Sequence, residues 1–404
     1  MPIVPRMRTR HSARTDVGRV RDHNEDCHLV DPDLRLFVVA DGMGGRAAGE
    51  IASQLAVEAV KDHVEEARDV VQGFDLGTDV AAAVARIVGE AVLAAAKSVF
   101  GASLLEADRR GMGTTLSVLL ISGNRAFVSH VGDSRVYLVR AGRATQITRD
   151  HSLVDEMVLA GHLTREEADS PELERLRCVL ARAVGVANDV AVDVLDFEVL
   201  PGDQFLLCSD GLTHYIDEDE IASHLLGNLD ASVDKFVALA CERGGHDNIT
   251  AVAVRCESTE PEDMERLRTY ERRSQMLSAV PLLHGLDPRE FLHVLLAAES
   301  VDAMPGSVVL REDQPIPALF VVLEGRIRLA RAGDLGEELG PGRWFGDAAL
   351  VDRWVSAPTA IAVDRCKLVR LTRDALVGVS RREPEIAPKV VAAFAKCAAE
   401  RLRR

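Results

Sequence analysis

L-R-L-F-V-V-A-D-G-M-G-G, residues 34–45, runs from an apolar segment into an aspartate and a glycine-rich turn. The apolar half has the length and β-branched content of a buried strand. Glycine lets the backbone approach a ligand closely, so Asp41 at this turn can face a hard cation. The same order recurs in L-L-C-S-D-G, residues 206–211, and a third aspartate stands before a strand-like run in G-G-H-D-N, residues 244–248. We therefore expect three aspartates to converge at strand ends from distant parts of the chain: Asp41, Asp210 and Asp247.

Length and composition limit the class of protein to which this chain can belong. A chain of 404 residues is too long for one ordinary core, so two domains are expected. The formal net charge of −16 argues against a general surface for nucleic acid or acidic membranes, so we predict no nucleic-acid partner. The longest stretch without a charged residue, 111–124, is shorter than the roughly 20 residues that span a bilayer, so no membrane helix is predicted.

The seven cysteines contain no C-x-x-C pair. They are expected to be reduced thiols, mostly small core residues, in a cytoplasmic protein. Cys178 is expected to be buried. The basic N-terminus, residues 1–10, has no apolar segment behind it and is interpreted as a short tail rather than a secretory signal.

Hydrophobic periodicity predicts sheets flanked by helices rather than a regular βαβ alternation, because strand-like runs cluster together and helical runs come in pairs. Strands are predicted at 34–40, 114–121, 125–131, 136–140, 203–209 and 249–254. Helices are predicted at 47–69, 78–99, 153–160 and 230–242.

A domain boundary is predicted in the acidic, proline-containing stretch 257–263. The chain then divides into a domain at 1–256, a linker helix within 257–278 and a second domain at 279–404. The second domain has short β-like segments separated by Gly and Pro, and ends in a helical tail.

The three aspartates suit a particular chemistry. Two divalent ions about 3.5–4 Å apart can aim a hydroxide at phosphorus with carboxylates as the only protein charges. The carbonyl of Gly42 can add a neutral ligand. Arg21, in G-R-V-R-D-H-N-E-D, can bind the phosphate because a guanidinium grips two oxygens at once. Asp26, at the end of that block, can hold a metal-bound water.

Six motifs, in family order, resemble the metal-dependent, type 2C Ser/Thr protein phosphatases of the bacterial kind. They are N-E-D at 24–26, D-G-M-G-G at 41–45, M-G-T-T-L at 112–116, V-G-D-S-R at 131–135, S-D-G-L at 209–212 and G-G-H-D-N-I-T at 244–250. The resemblance implies an α+β fold, a four-layer α-β-β-α sandwich, with two Mg²⁺ or Mn²⁺ ions as cofactors.

The resemblance also assigns roles by position. Asp41 would bridge the two metals, Gly42 would give its carbonyl, and Arg21 would bind the substrate phosphate. The other metal positions are Asp210 and Asp247, with Asp26 acting through water and Asp133 helping to hold a weaker third ion. Met43 stands where eukaryotic members carry a histidine proposed as the general acid, so the resemblance leaves that acid unassigned.

Residues 280–373 resemble the cyclic-nucleotide-binding domain, a small β-roll with flanking helices. The motifs that carry this are V-P-L-L-x-G-L at 280–286, V-L-E-G-R-I at 322–327 and G-R-W-F-G-D-A-A-L at 342–350. The ligand positions carried over are Gly346, Asp347, Ala348, Ser356 and Thr359.

Two of these positions depart from the family. Asp347 replaces the glutamate that binds the ribose hydroxyl, and Ser356 replaces the arginine that pairs with the cyclic phosphate. Loss of that charge-assisted contact should cost about 1.5–3 kcal/mol. Three interpretations stay open: weak binding of a cyclic nucleotide, binding of another small ligand, or a ligand-free docking module.

The sequence thus predicts a protein phosphatase acting on phosphoserine and phosphothreonine of phosphorylated proteins, targets of Ser/Thr kinases, and regulated by its second domain. One alternative is a catalytically silent sensor that binds phosphoproteins. Another is a narrow phosphatase for regulatory proteins of the anti-sigma type.

Overall fold

The computed structural model describes residues 7–44, 48–73, 78–168, 170–258, 260–312, 314, 318–331, 336–351 and 358–403. The chain forms two compact units, Met1–Met264 and Glu265–Arg404. Within the described ranges, no helix has the length and apolarity needed to cross a membrane.

The first unit is built on two antiparallel sheets. Its strands are β1 Arg8–Asp16, β2 Asp26–Asp31, β3 Leu36–Met43, β4 Gly113–Thr114, β5 Leu116–Ser122, β6 Arg125–Val131, β7 Arg135–Arg140, β8 Arg143–Gln146, β9 Asp193–Glu198, β10 Gln204–Cys208 and β11 Ile249–Glu257. The five-stranded sheet has the order β1-β11-β10-β7-β8. The six-stranded sheet has the order β2-β3-β5-β6-β9, with β4 paired to β3.

Helices cover the outer face of each sheet. They are α1 Ala48–Glu66, α2 Arg68–Val71, α3 Thr78–Leu105, α7 Asp210–Thr213, α8 Glu218–Leu225 and α9 Leu229–Glu242. The three short helices α4 Leu153–Leu159, α5 Arg165–Ala168 and α6 Glu174–Arg177 pack on one another instead. Buried alanines such as Ala52 and Ala91 let α1 and α3 pack closely against each other and on the six-stranded sheet. Phe236 of α9 packs with Leu206 of the five-stranded sheet. The predicted four-layer α-β-β-α sandwich is confirmed.

The N-terminal residues differ from the prediction of a short tail. Arg8 to Arg10 begin β1, where Arg8 lies opposite Glu257 and Arg10 Nε donates to the Glu257 carboxylate at 2.9 Å. Met7, just before them, is buried. Backbone pairing with β11 holds this edge strand, so it needs no alternating apolar side chains.

Cys178 is a second difference, because it is exposed rather than buried. It follows the short surface helix α6, whose described residues contribute no buried side chain. The other cysteines follow the prediction more closely, since Cys208, Cys241, Cys256 and Cys366 are buried and all seven are free thiols.

The second unit is a β-roll with flanking helices, as predicted. Its strands are β12 Glu299–Ala303, β13 Val308–Leu310, β14 Ala318–Glu324, β15 Ile327–Ala330, β16 Glu337–Leu339, β17 Trp344–Phe345, β18 Thr359–Ala362 and β19 Cys366–Thr372. They form two four-stranded sheets with the orders β12-β19-β14-β17 and β13-β18-β15-β16. The helices are α10 Pro261–Ser278, whose first residues belong to the first unit, α11 Pro288–Ala297, α12 Arg373–Arg382 and α13 Ile386–Leu402.

The helices of this unit are fixed by caps and a shared core. Asp287 and Glu290 form a capping box that begins α11, with both reciprocal hydrogen bonds present. Ile386 and Val390 of the tail helix α13 are buried in the core with Leu283 and Val294. The tail helix therefore packs on its own unit.

Candidate metal centre

Strand register and strand ends place the predicted aspartates. Asp26 is the first residue of β2 and lies directly opposite Asp41 of β3 in the six-stranded sheet. Asp210 follows β10 as the first residue of α7, and Asp247 stands just before β11, both strands of the five-stranded sheet. Asp133 lies in the turn between β6 and β7. The charges of the other four all raise the pKa of Asp41, so the five carboxylates lie within electrostatic range of this residue.

The backbone around Asp41 is extended rather than released into a turn, which corrects the expectation that the strand ends at residue 40. β3 continues to Met43 because Gly42 pairs with Thr114 of β4. Asp41 N donates to Thr115 Oγ1 at 2.9 Å, and Asp41 O accepts from Thr114 Oγ1 at 2.8 Å. A Cβ added at Gly42 would lie 2.1 Å from the carbonyl oxygen of Gly49, so only glycine fits at this position.

Burial and mutual repulsion govern the electrostatics of the cluster. Burial, then the charges of Asp26 and Asp210, raise the pKa of Asp41 well above its usual range. Burial, then the charge of Asp210, raises the pKa of Asp133 to about 7. Burial and the charge of Asp247 raise the pKa of Asp210, although a hydrogen bond between the Asp210 and Asp41 side chains opposes the rise. The cluster therefore carries more negative charge than its surroundings neutralise.

Two observations bear on whether a metal fits here. Asp26 Oδ1 and Asp210 Oδ1 are buried and have no hydrogen-bond partner. Over the described ranges, no three His, Cys, Asp or Glu side chains are grouped so as to hold a metal ion as they stand. The fit therefore rests on the unneutralised charge and the unpartnered oxygens. An oxygen-only donor set of this kind suits a hard divalent ion such as Mg²⁺ or Mn²⁺.

Arg21 lies beside the cluster. Its Nη2 donates to Asp247 Oδ2 at 2.8 Å, and its side chain is 48% exposed. A guanidinium has five N–H donors, so this bond leaves donors that can meet a phosphate entering from solvent. The structure thus brings the predicted phosphate-binding residue together with a predicted metal ligand.

Sequence reasoning missed the side chains that hold the 17–26 segment in place. Asn248 Nδ2 donates to Val17 O at 3.0 Å and to His23 O at 2.9 Å, while its Oδ1 accepts from Glu25 N at 2.8 Å. Ser209 and the threonine at position 250 contact Asp26. The sequence could have indicated these residues, because they stand next to or near predicted metal ligands in the motifs S-D-G-L and D-N-I-T.

The predicted ligand residues of the second unit lie on both of its sheets. Gly346 follows β17 in a left-handed conformation with φ of 76°, and Asp347 Oδ1 accepts from Ala348 N at 3.1 Å. Thr359 lies in β18 of the other sheet, where its Oγ1 accepts from Glu312 N at 3.2 Å. Ser356 lies outside the described residues.

Comparisons with known proteins agree with both units. The family description "Protein phosphatase 2C" matches residues 19–236, and "Cyclic nucleotide-binding domain" matches residues 301–383. The serine/threonine protein phosphatase PstP of Mycobacterium tuberculosis is 40% identical over 245 residues, which cover 60% of this chain and 44% of that protein. The chain thus spans less than half the length of PstP.

The serine/threonine phosphatase stp of Listeria monocytogenes is 35% identical over 252 residues, covering 61% of this chain and 96% of that protein. A crystal structure of M. tuberculosis PstP/Ppp aligns with a TM-score of 0.54 at 37% identity, covering 62% of this chain and 99% of the other. The PstP catalytic domain in complex with two manganese ions aligns with a TM-score of 0.53 at 36% identity, covering 62% and 100%. The chain therefore belongs to the protein phosphatase 2C family.

Proposed function

We propose that this chain is a metal-dependent phosphatase that removes phosphate from phosphoserine and phosphothreonine in proteins. The observation that carries the proposal is the cluster of five aspartates with two buried, unpartnered carboxylate oxygens beside Arg21. Relatives named as Ser/Thr phosphatases, and the two manganese ions bound to one of them, support it.

The residues that would hold the metals come from both sheets. Asp41 would bridge two ions, with the Gly42 carbonyl beside it. Asp210 and Asp247 would complete the pair, with Asp26 acting through water and Asp133 helping to hold a third ion. Two such ions supply, when bound, an activated water nucleophile and positive charge for the phosphate oxygens.

Arg21 and its neighbours would orient the substrate. The guanidinium would bind two phosphate oxygens, and its bond to Asp247 fixes its position relative to the aspartates. Met43 adjoins Gly42 in β3 and offers no proton, so the leaving-group oxygen must be protonated by another group.

The test is release of phosphate from a phosphothreonine peptide by the full chain in Mn²⁺. Asp41→Ala and Asp210→Ala should each abolish turnover, because each removes a carboxylate from the centre of the cluster. Retained activity in both variants would refute the two-metal assignment.

A silent phosphoprotein-binding role is the competing proposal. The complete set of aspartates favours turnover, since a binding-only protein has no need of buried like charges. A peptide that binds the wild type and is never hydrolysed would favour the silent role. We propose a broad phosphatase that opposes Ser/Thr kinases rather than a narrow one for anti-sigma-type proteins. Turnover of a panel that contains both phosphopeptides made by Ser/Thr kinases and an anti-sigma-type phosphoprotein distinguishes the two.

We also propose that the second unit regulates turnover by binding a small ligand. Its match to the cyclic nucleotide-binding domain and the glycine turn at Gly346 support this role. Calorimetry on the full chain with cyclic AMP and cyclic GMP, paired with turnover measured in each, tests it. Neither binding nor a change in turnover would favour a docking module.

A further inference from the structure

The carboxylate of Asp26 is held by two hydroxyl groups on one of its oxygens. Asp26 Oδ2 accepts from Ser209 Oγ at 2.7 Å and from Thr250 Oγ1 at 2.7 Å. Ser209 and Thr250 are fully buried, and Asp26 is 9% exposed. These bonds join β2 of one sheet to the β10 and β11 ends of the other.

Thr250 also belongs to a closed ring of hydrogen bonds that is compatible with donation of its proton to the Asp26 carboxylate. Asp26 N donates to Asn24 Oδ1 at 3.1 Å, which fixes the orientation of the Asn24 amide. Asn24 Nδ2 then donates to Thr15 Oγ1 at 2.8 Å. Thr15 and Thr250 hydroxyls lie 2.8 Å apart. Because Thr250 donates its single proton to Asp26 Oδ2, Thr15 must donate to Thr250, and the four bonds run in one direction around the ring, from Asp26 N to Asp26 Oδ2.

Ser209 is directed in the same way. Thr250 N donates to Ser209 Oγ at 2.9 Å, so that oxygen already serves as an acceptor. Its single proton has two acceptors within reach, Asp26 Oδ2 at 2.7 Å and Asn248 O at 3.4 Å. The shorter contact, to a carboxylate, is the stronger one.

Both hydroxyl groups therefore donate to Asp26 Oδ2, while Asp26 Oδ1 is buried without a hydrogen-bond partner. Burial alone would favour the uncharged acid, and hydroxyl donors favour the carboxylate. The segments that carry these hydroxyls also carry predicted metal ligands, since Ser209 adjoins Asp210 and Thr250 follows Asp247 closely.

We propose that Ser209 and Thr250 are positioning residues. Their hydrogen bonds to one carboxylate oxygen of Asp26 orient the carboxylate so that its other oxygen faces a divalent cation site. This inference rests on the proposed function. It assigns the two hydroxyl groups a role in metal affinity rather than in contact with substrate.

The matched variants are Thr250→Val, which removes the hydroxyl and keeps the shape, and Thr250→Ser, which keeps the hydroxyl. Loss of an outer partner of a metal site lowers metal affinity by about 10–100-fold, which we expect for Thr250→Val and Ser209→Ala. Thr250→Ser should stay within about threefold of the wild type, since the donor remains. Thr15→Val should have a small effect, because Thr15 is exposed and water can replace its hydroxyl.

The experiment is calorimetric titration of Mn²⁺ into the full chain of the wild type and these variants. Thermal unfolding in EDTA checks that each variant is folded. If Thr250→Val does not fold, the Mn²⁺ affinity of Ser209→Ala tests the proposal. The Mn²⁺ concentration for half-maximal turnover should rise with the dissociation constant, while the KM for phosphopeptide stays nearly constant.

The outcomes separate the two proposals. A wild type that binds no Mn²⁺ would overturn the proposed function itself. A wild type that binds Mn²⁺ with the same affinity as both hydroxyl-deletion variants would overturn only the positioning role. Equal weakening in Thr250→Val and Thr250→Ser would also overturn it, because Thr250→Ser keeps the hydroxyl group and loss of that group would not explain the change.

Discussion

Replacing Asp210 with asparagine should stabilise the metal-free protein and remove its activity. The Asp210 and Asp41 side chains contact each other, and burial together with the charge of Asp247 raises the pKa of Asp210. In the absence of a cation, the fold must either tolerate this repulsion or bind a proton to relieve it. Asparagine keeps the shape, carries no charge, and can donate its amide N–H to Asp41.

The magnitude follows from the charges. Two unit charges 4 Å apart interact by about 4 kcal/mol at an effective dielectric constant of 20. Proton uptake and local rearrangement relieve part of this, so we expect a net gain of about 1–3 kcal/mol for Asp210→Asn. For a domain of this size, that gain should raise Tm by about 2–12 °C.

Binding of a divalent metal should make the wild type more stable than Asp210→Asn. At a Mn²⁺ concentration of 100 times Kd, a ligand that binds only the folded state stabilises it by about 2.7 kcal/mol. The wild type should gain this amount, and Asp210→Asn should gain much less because it has lost one negative charge that attracts the ions.

The assay is thermal unfolding of both proteins in EDTA and then in Mn²⁺. Asp219→Asn is the matched control, since Asp219 is exposed on α8 and its replacement should change stability by no more than about 0.5 kcal/mol. The reasoning is refuted if Asp210→Asn is less stable than the wild type in EDTA, or if it gains as much from Mn²⁺.

Two further predictions concern buried ion pairs. Arg140 and Asp203 form a two-point pair at 2.7 and 2.6 Å with side chains 5% and 1% exposed, so Asp203→Ala should lower the free energy of unfolding by about 3–5 kcal/mol in urea titrations. Burial would raise the pKa of Glu383, but His293 and Arg289 lower it to about 2. This stabilisation is present above the usual glutamate pKa of about 4.3 and is lost as pH falls toward 2, amounting to about 3 kcal/mol, with Glu383→Gln reducing the loss. Roughly half of this stabilisation, about 1.5–2 kcal/mol, should be lost between pH 5.5 and 3. Both tryptophans lie in the second unit, so their fluorescence during unfolding at these two pH values measures the change.

Much of the fold could be predicted because its periodic elements are strong. The alanine-rich pattern predicted α1 and α3, and the run 125–131 coincides with β6. β1 was missed because its sequence lacks a strand pattern. The segment R-T-R-H-S-A-R-T-D shows no regular apolar alternation, so its strand conformation depends on pairing with β11. β11 lies beside it in the sheet but at the other end of the unit's sequence.

The metal site could be predicted only in part. Each aspartate sits in a short motif, so its chemistry can be inferred from adjacent residues. The hydroxyl groups on Asp26 could not be found in this way, because Ser209 and Thr250 are separated from it by 183 and 224 residues. Their role depends on how the two sheets meet. Cys178 was misplaced because a short helix gives no reliable periodic signal of which side is buried.

The central claim is that the aspartate cluster binds divalent metal to hydrolyse phosphoprotein substrates. Its most direct test is the initial rate of phosphate release from a phosphothreonine peptide as Mn²⁺ is titrated into the metal-free full chain, with Asp41→Asn measured beside it. We predict no release in EDTA, a rate that rises and saturates with Mn²⁺ in the wild type, and no release by Asp41→Asn at any concentration. A wild-type rate in EDTA equal to that in Mn²⁺, or a normal rate in Asp41→Asn, would contradict the claim.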